Sequence, residues 1–208
     1  ASLYGTALRG ANLRDADLRS ARMAGANFRG ADLRNTNFSE SILRDADLRY
    51  ADMRGAVLDN LADLINADLS NADLRDTVLT DVVLCQAILS QASLRGTKLD
   101  YADLRRAALD GAYLRDANLR GADLRHANLR GANFQDADLR EADLRDTDAR
   151  EIQFKGAVLQ NARFAGANLR GADFREADIA EADFSGADTS GAKMPERPIE
   201  NSAQAATP

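Results

Sequence analysis

The 208-residue chain carries 27 Lys and Arg against 33 Asp and Glu, a formal charge of −6, with one His and one Cys. A single Cys excludes an intramolecular disulfide framework, and His126 has no second His or neighbouring Cys to complete a zinc ligand set. No run of about 18 apolar residues is present, so no transmembrane helix is expected, and the acidic balance argues against a nucleic acid held by net charge.

From the N-terminus the chain is one five-residue pattern: a small residue, then Asp or Asn, then Leu or Phe, often Arg, then a variable residue rich in Gly. Ala122-Asp123-Leu124-Arg125-His126 and Ala127-Asn128-Leu129-Arg130-Gly131 show it plainly. Apolar centres recur from Leu3 to Leu58 and, after one slip, from Leu64 to Met194. On an α-helix five residues turn through about 500°, so the centres would scatter around the axis. On a flat strand alternate centres would fall on opposite faces. A short extended segment followed by a corner satisfies the pattern: the small residue and the centre point inward, and the residue between them points out. All seven Phe are centres, and all fourteen Gly stand in the last position of a unit, where a corner favours a residue without Cβ.

This A-(D/N)-(L/F)-x-x signature, from Ala1 to about Met194, resembles the pentapeptide repeat proteins. The resemblance implies an all-β fold, a right-handed quadrilateral parallel β-helix with four units per coil and about ten coils. A 20-residue coil then stacks Phe134, Phe154 and Phe174 in one column and Phe164 and Phe184 in another. Arg14, Arg34, Arg54, Arg75, Arg95 and Arg115 form a third. The domain is expected over 1–194, followed by a flexible tail over 195–208 in which Pro195 and Pro198 stop the pattern.

The slip lies at Asp59-Asn60-Leu61, where centres Leu58 and Leu64 are six apart. It reads as a one-residue corner bulge absorbed by the coil, or as a marked recognition site. Ile42, Leu61, Ile65, Val78, Val83 and Cys85 are apolar at nominally outward positions. Four-sided geometry puts Ile42, Ile65, Val83 and Cys85 on one face, and these with Leu61 are a candidate interaction patch. Both ends of the solenoid expose strand edges, so homodimerisation through one end is expected. The charges are segregated: residues 59–114 hold 5 basic and 9 acidic groups, the most acidic part of the repeat region.

Conventional chemistry is missing. There is no phosphate-binding glycine loop, no nucleophile–base pair and no long insertion to build a pocket. Catalytic, cofactor and metal residues are therefore all assigned as none, and the protein is expected not to be an enzyme. The expected function is a rigid scaffold that binds a protein partner through its faces or ends. The family resemblance supplies an alternative, a DNA-mimicking rod that binds gyrase and confers inhibitor resistance. Its acidic patch would be Asp173, Glu176, Asp178, Glu181, Asp183 and Asp188. Direct DNA binding is not expected. A bacterial cytoplasmic location is expected, or an exported or lumenal one if the N-terminus is processed.

Overall fold

Backbone hydrogen bonding decides the architecture. In the computed structural model, which describes residues 2–196, each unit contributes one bridging residue and a two-residue turn. The bridges are parallel and join residues 20 apart: Ser2 to Arg22, Ala7 to Asn27, Asn12 to Asp32, Asp17 to Asn37. Four units therefore close one coil, and the chain is a right-handed quadrilateral β-helix. We number the sides by the first unit on each: side one begins with Leu3, side two with Leu8, side three with Leu13 and side four with Leu18. The tail expected after Met194 lies, from residue 197 onward, outside the described residues.

The bonds of one unit recur along the rod. Leu3 N–H donates to Arg22 C=O at 2.7 Å, and Asn27 N–H donates to Thr6 C=O at 2.9 Å. At the corner Gly5 N–H reaches Ala24 C=O at 3.0 Å, and Thr6 N–H closes the turn on Leu3 C=O at 3.2 Å. The third residue of that turn has φ of 60° at Gly5, and the equivalent residues lie between 52° at Ser20 and 71° at Gly166. A type II turn requires such a φ at this position. The confinement of glycine to it follows, with Asn and Asp as the next best tolerated residues.

The interior is filled by two kinds of residue. Ala at the small position lets the walls approach each other, and Leu or Phe at the centre fills the axis; both are essentially unexposed from Ala21 to Phe174. Each fully buried Leu or Phe contributes about 1.5–3 kcal/mol. The expected phenylalanine columns are present. Phe154 stacks on Phe174 at 5.2 Å and Phe164 on Phe184 at 4.9 Å between ring centroids, while Phe134 and Phe154 meet at 5.5 Å. Where Thr replaces Ala inside the rod its hydroxyl finds a carbonyl: Thr77 and Thr97 both donate to Leu74 C=O, at 2.7 and 2.8 Å. The first coil is less well covered, with Leu3, Leu8, Leu13 and Leu18 only partly buried, and so are Ile179 and Phe184 near the other end.

The slip is absorbed at one corner. Bridges from Ile42–Asp63 to Val57–Val78 span 21 residues, and the interval returns to 20 at Asp63–Val83. Asn60 and Leu61 both have positive φ, 54° and 62°, and Ala62 N–H closes the turn on Asp59 C=O at 3.3 Å. Two successive left-handed central residues are the pattern of a type I′ turn. Neither amide reaches the next coil as the interior corners do, and among the described residues Thr80 C=O, the equivalent acceptor, receives no backbone bond. The bulge does not bury the extra side chain: Leu61 is 68% exposed.

Candidate interaction face

Bridge register fixes which outward residues are neighbours. On side one the residues before the centres run Ile42, Asp63, Val83, Asp103 along consecutive coils. The residues after the centres run Arg44, Ile65, Cys85, Arg105, as successive corner bonds such as Asp45 N–H to Ile65 C=O show. Ile42, Ile65, Val83 and Cys85 therefore do share one side, and each is half-buried by its neighbours. Leu61 stands on the corner by which side four enters side one. The five candidate residues form one surface that begins on a flat sheet face and ends on a projecting corner. One carboxylate interrupts it: Asp63 lies between Ile42 and Val83 and accepts a hydrogen bond from Arg44 Nε.

The five-residue patch leaves out the far side of that corner, where Val78, outward and apolar in the sequence, has a neighbour the sequence does not single out. Val57 and Val78 are bridge partners on side four, so half-buried apolar surface continues around Leu61. Tyr101, 56% exposed, stands on the same edge two coils from the bulge. The signal was available in the five-residue phase, because Leu61, Asp81 and Tyr101 all precede a small position. Its use required knowing which corner absorbs the slip.

Elsewhere the outer surface is an ionic lattice. Asp before a centre and Arg after it lie on the same side of one rung, and the guanidinium forks onto the carboxylate. Arg49 Nε and Nη2 donate to the two Asp47 oxygens at 2.8 and 2.7 Å, and Nε also lies 3.5 Å from Asp68 of the next coil. Hydrogen bonds from Arg34 and from Arg175 hold the Asp32 and Asp173 carboxyls at about 2. The expected Arg14–Arg115 column is present on side three, but several of its members are neutralised in this way, Arg34, Arg54 and Arg75 by Asp32, Asp52 and Asp73.

The six acidic residues of the alternative reading do not form one face. Asp183 is on side one, Asp188 on side two, Asp173 and Glu176 on side three and its corner, Asp178 and Glu181 on side four and its corner. Asp173 is 4% exposed and held by Arg175, Glu176 lies 3.2 Å from Lys155, and Asp183 and Asp188 accept from Ser185 and Ser190. They circle the rod rather than line it. His126 is a half-exposed corner residue whose Nδ1 lies 3.9 Å from Asp146. Among the described residues no group of three His, Cys, Asp or Glu is placed to hold a metal ion, and no helix is long and apolar enough to cross a membrane.

Comparison with known proteins agrees with this geometry. The family model described as pentapeptide repeats matches in eight copies between residues 1 and 191. Curated protein sequences return no match. Among solved structures the chain is similar to HetL, a pentapeptide repeat protein involved in heterocyst differentiation regulation from the cyanobacterium Nostoc sp. strain PCC 7120. The identity is 33%, the match covers 91% of this chain and 85% of that one, and the TM-score is 0.52. A pentapeptide repeat protein of the Arabidopsis thaliana thylakoid lumen is 34% identical over 53% of this chain and 66% of its own, with a TM-score of 0.37. Full-length QnrB1, a plasmid-mediated fluoroquinolone resistance protein, is 18% identical over 91% and 92%, with a TM-score of 0.36. Repeat signature, coil register, the family-model match and the similarity to HetL have one explanation: the chain belongs to the pentapeptide repeat family.

Proposed function

We propose that the protein is a non-catalytic scaffold that binds a protein partner through side one and the corner that opens onto it. The observation that carries this reading is the contiguity of Ile42, Leu61, Ile65, Val83 and Cys85 on side one and its entering corner, a surface that runs at Val83 and Cys85 into a stretch of rod where the Asp–Arg lattice lapses. From Asp76 to Lys98 no rung carries a paired Asp and Arg, whereas such rungs recur before and after. An outward β-helix position is free to be polar, so apolar residues clustered there cost hydration without contributing to the core. HetL, which shares the fold and 33% of the sequence, is involved in heterocyst differentiation regulation.

The test is association of the full chain with Leu61→Asp plus Ile65→Asp, read by affinity capture and by light-scattering mass after size exclusion. Loss of a partner that the native protein retains supports the reading. Unchanged association of the double variant, at unchanged melting temperature, refutes it. The same mass measurement decides whether a second copy is the partner through a helix end, the arrangement expected from the partly covered Leu3–Leu18 and Ile179–Phe184 coils. Imitation of duplex DNA is supported less well, because the carboxylates from Asp173 to Asp188 lie on four sides and most are engaged by neighbouring donors.

A further inference from the structure

Leu61 is the one aliphatic side chain held at positive φ among the described residues; the other non-glycine corners are Asp, Asn, Ser, Glu, Gln, Tyr, Arg or His. A Leu in the left-handed region costs about 1–2 kcal/mol relative to an ordinary conformation, and this one also stands 68% exposed. Its surroundings are acidic. Asp59 precedes it in the same turn, Asp81 occupies the same edge one coil on, and Asp100 lies next to Tyr101 one coil beyond. None of the three has an ion-pair partner among the described residues, in contrast to Asp63, Asp68, Asp73 and Asp103 of the same region. Among the described residues the Asp59 carboxylate accepts only from the Asn60 side-chain amide and the Asp100 carboxylate only from that of Asn118. Lys98, on side four in the unit of Asp100, makes no ion pair with it. Beside these carboxylates the amides of Asn60 and Leu61 lack backbone acceptors and Thr80 C=O lacks its usual donor.

We infer that this edge receives a cationic, partly apolar segment of a partner protein. Leu61 and the adjoining Val57 and Val78 would meet its apolar side chains, Asp59, Asp81 and Asp100 its Lys or Arg, and the open backbone groups of the bulge its main chain. Charge complementarity selects the occupant. Of the five carboxylates of residues 59–114 that make no ion pair among the described residues, Asp59, Asp81 and Asp100 lie along this edge, and a basic segment supplies the missing counter-charges. An acidic segment or a nucleic acid would be repelled. The inference deepens the protein-binding reading and rests on it: it specifies what kind of surface the partner presents.

Two synthetic peptides of equal length test it, one alternating Lys and Leu and the other Glu and Leu, titrated against the full chain by fluorescence anisotropy at low and raised salt. The Lys peptide is expected to bind and weaken with salt, and the Glu peptide not to bind. Asp59→Asn with Asp81→Asn and Asp100→Asn is expected to weaken the Lys peptide by about tenfold or more. Leu61→Ser should weaken it with the salt dependence retained. A control with the same charge change on another edge, Asp15→Asn with Asp76→Asn and Asp136→Asn, should leave it within about twofold. Equal weakening by the control triple, or binding unaffected by the Asp59 triple, overturns the inference, as does failure of the Lys peptide to bind the native chain. The two readings separate cleanly. If Leu61→Asp plus Ile65→Asp abolishes association with a cellular partner while the Asp59 triple does not, the protein-binding face stands and the cationic occupant falls.

Discussion

Phe164 and Phe184, twenty residues apart, stack with ring centroids 4.9 Å apart and planes within 5° of parallel. Each also meets Phe174 edge-on, at 5.9 and 5.7 Å. Aromatic pairs of this geometry add about 0.5–1.5 kcal/mol beyond the area they bury. The cluster lies where the rod is least covered, since Phe184 is only partly buried. Removing the inner ring should therefore loosen the C-terminal coils in particular. Phe164→Ala is expected to destabilise by about 3–5 kcal/mol, with hydrogen exchange accelerated at the Phe164 to Phe184 amides before it rises near Leu84. Uniform acceleration along the rod would show that the coils do not open separately.

A second prediction concerns one corner. Gly121 has φ of +65°, and a Cβ there would stand 2.6 Å from Tyr101 Cε1, because the Tyr101 ring lies over the glycine of the next coil. Gly121→Ala is expected to cost about 1–2 kcal/mol from the left-handed backbone, plus displacement of the ring. Tyr101→Ala removes the second part and leaves the first. In thermal unfolding the double variant should thus be more stable than the sum of the two single changes requires.

Buried hydroxyls provide a paired test. Ser41 Oγ is buried without a hydrogen-bond partner, whereas Thr97 Oγ1 donates to Leu74 C=O at 2.8 Å. Ser41→Ala removes an unsatisfied group and should stabilise by about 1 kcal/mol; Thr97→Ala breaks a made bond and should destabilise by a similar amount. Chemical denaturation of the two variants checks the opposite signs.

Acid should weaken the lattice in a defined window. The Asp17, Asp32 and Asp173 carboxyls are held at about 2, against a usual 3.8, chiefly by side-chain hydrogen bonds from Arg19, Arg34 and Arg175. A depressed folded-state value means that the unfolded chain binds protons first, so the stabilisation is complete above about pH 5 and is lost as pH falls toward 2. Melting temperature followed by circular dichroism should be flat from neutrality to about pH 5 and fall below it. Asp32→Asn should lower the plateau and make the acid limb shallower.

The bulge yields a last prediction. Deleting Leu61 restores the five-residue interval from Leu58 onward and lets the corner make its bond to Thr80 C=O. It also removes an exposed Leu from a left-handed position. The deletion variant is expected to melt higher than the native chain, and to lose the association that Leu61→Asp loses. A lower melting temperature would mean that the type I′ turn is required for packing of coils three and four.

The sequence determined the repeat, the inward and outward phases, the glycine corners and the position of the slip. Each follows from a local constraint: a centre must be apolar to be buried, and a left-handed corner admits few residues. The 20-residue stacking of Phe154 on Phe174 was legible for the same reason, once four units per coil was taken from the family resemblance. Only the tertiary structure decided how the extra residue is absorbed, since burying Leu61 and expelling it both preserve the period. It also decided which charges are neighbours. Arg49 reaches Asp68, nineteen positions away in the chain, because the 21-residue interval of the slip sets their coils in register. The carboxylates from Asp173 to Asp188 look like one patch in the sequence, yet a coil turning through a corner every five residues spreads them over four sides. Sequence proximity brings residues together along a helix or strand, but in a quadrilateral coil the near neighbour is the residue one full turn away.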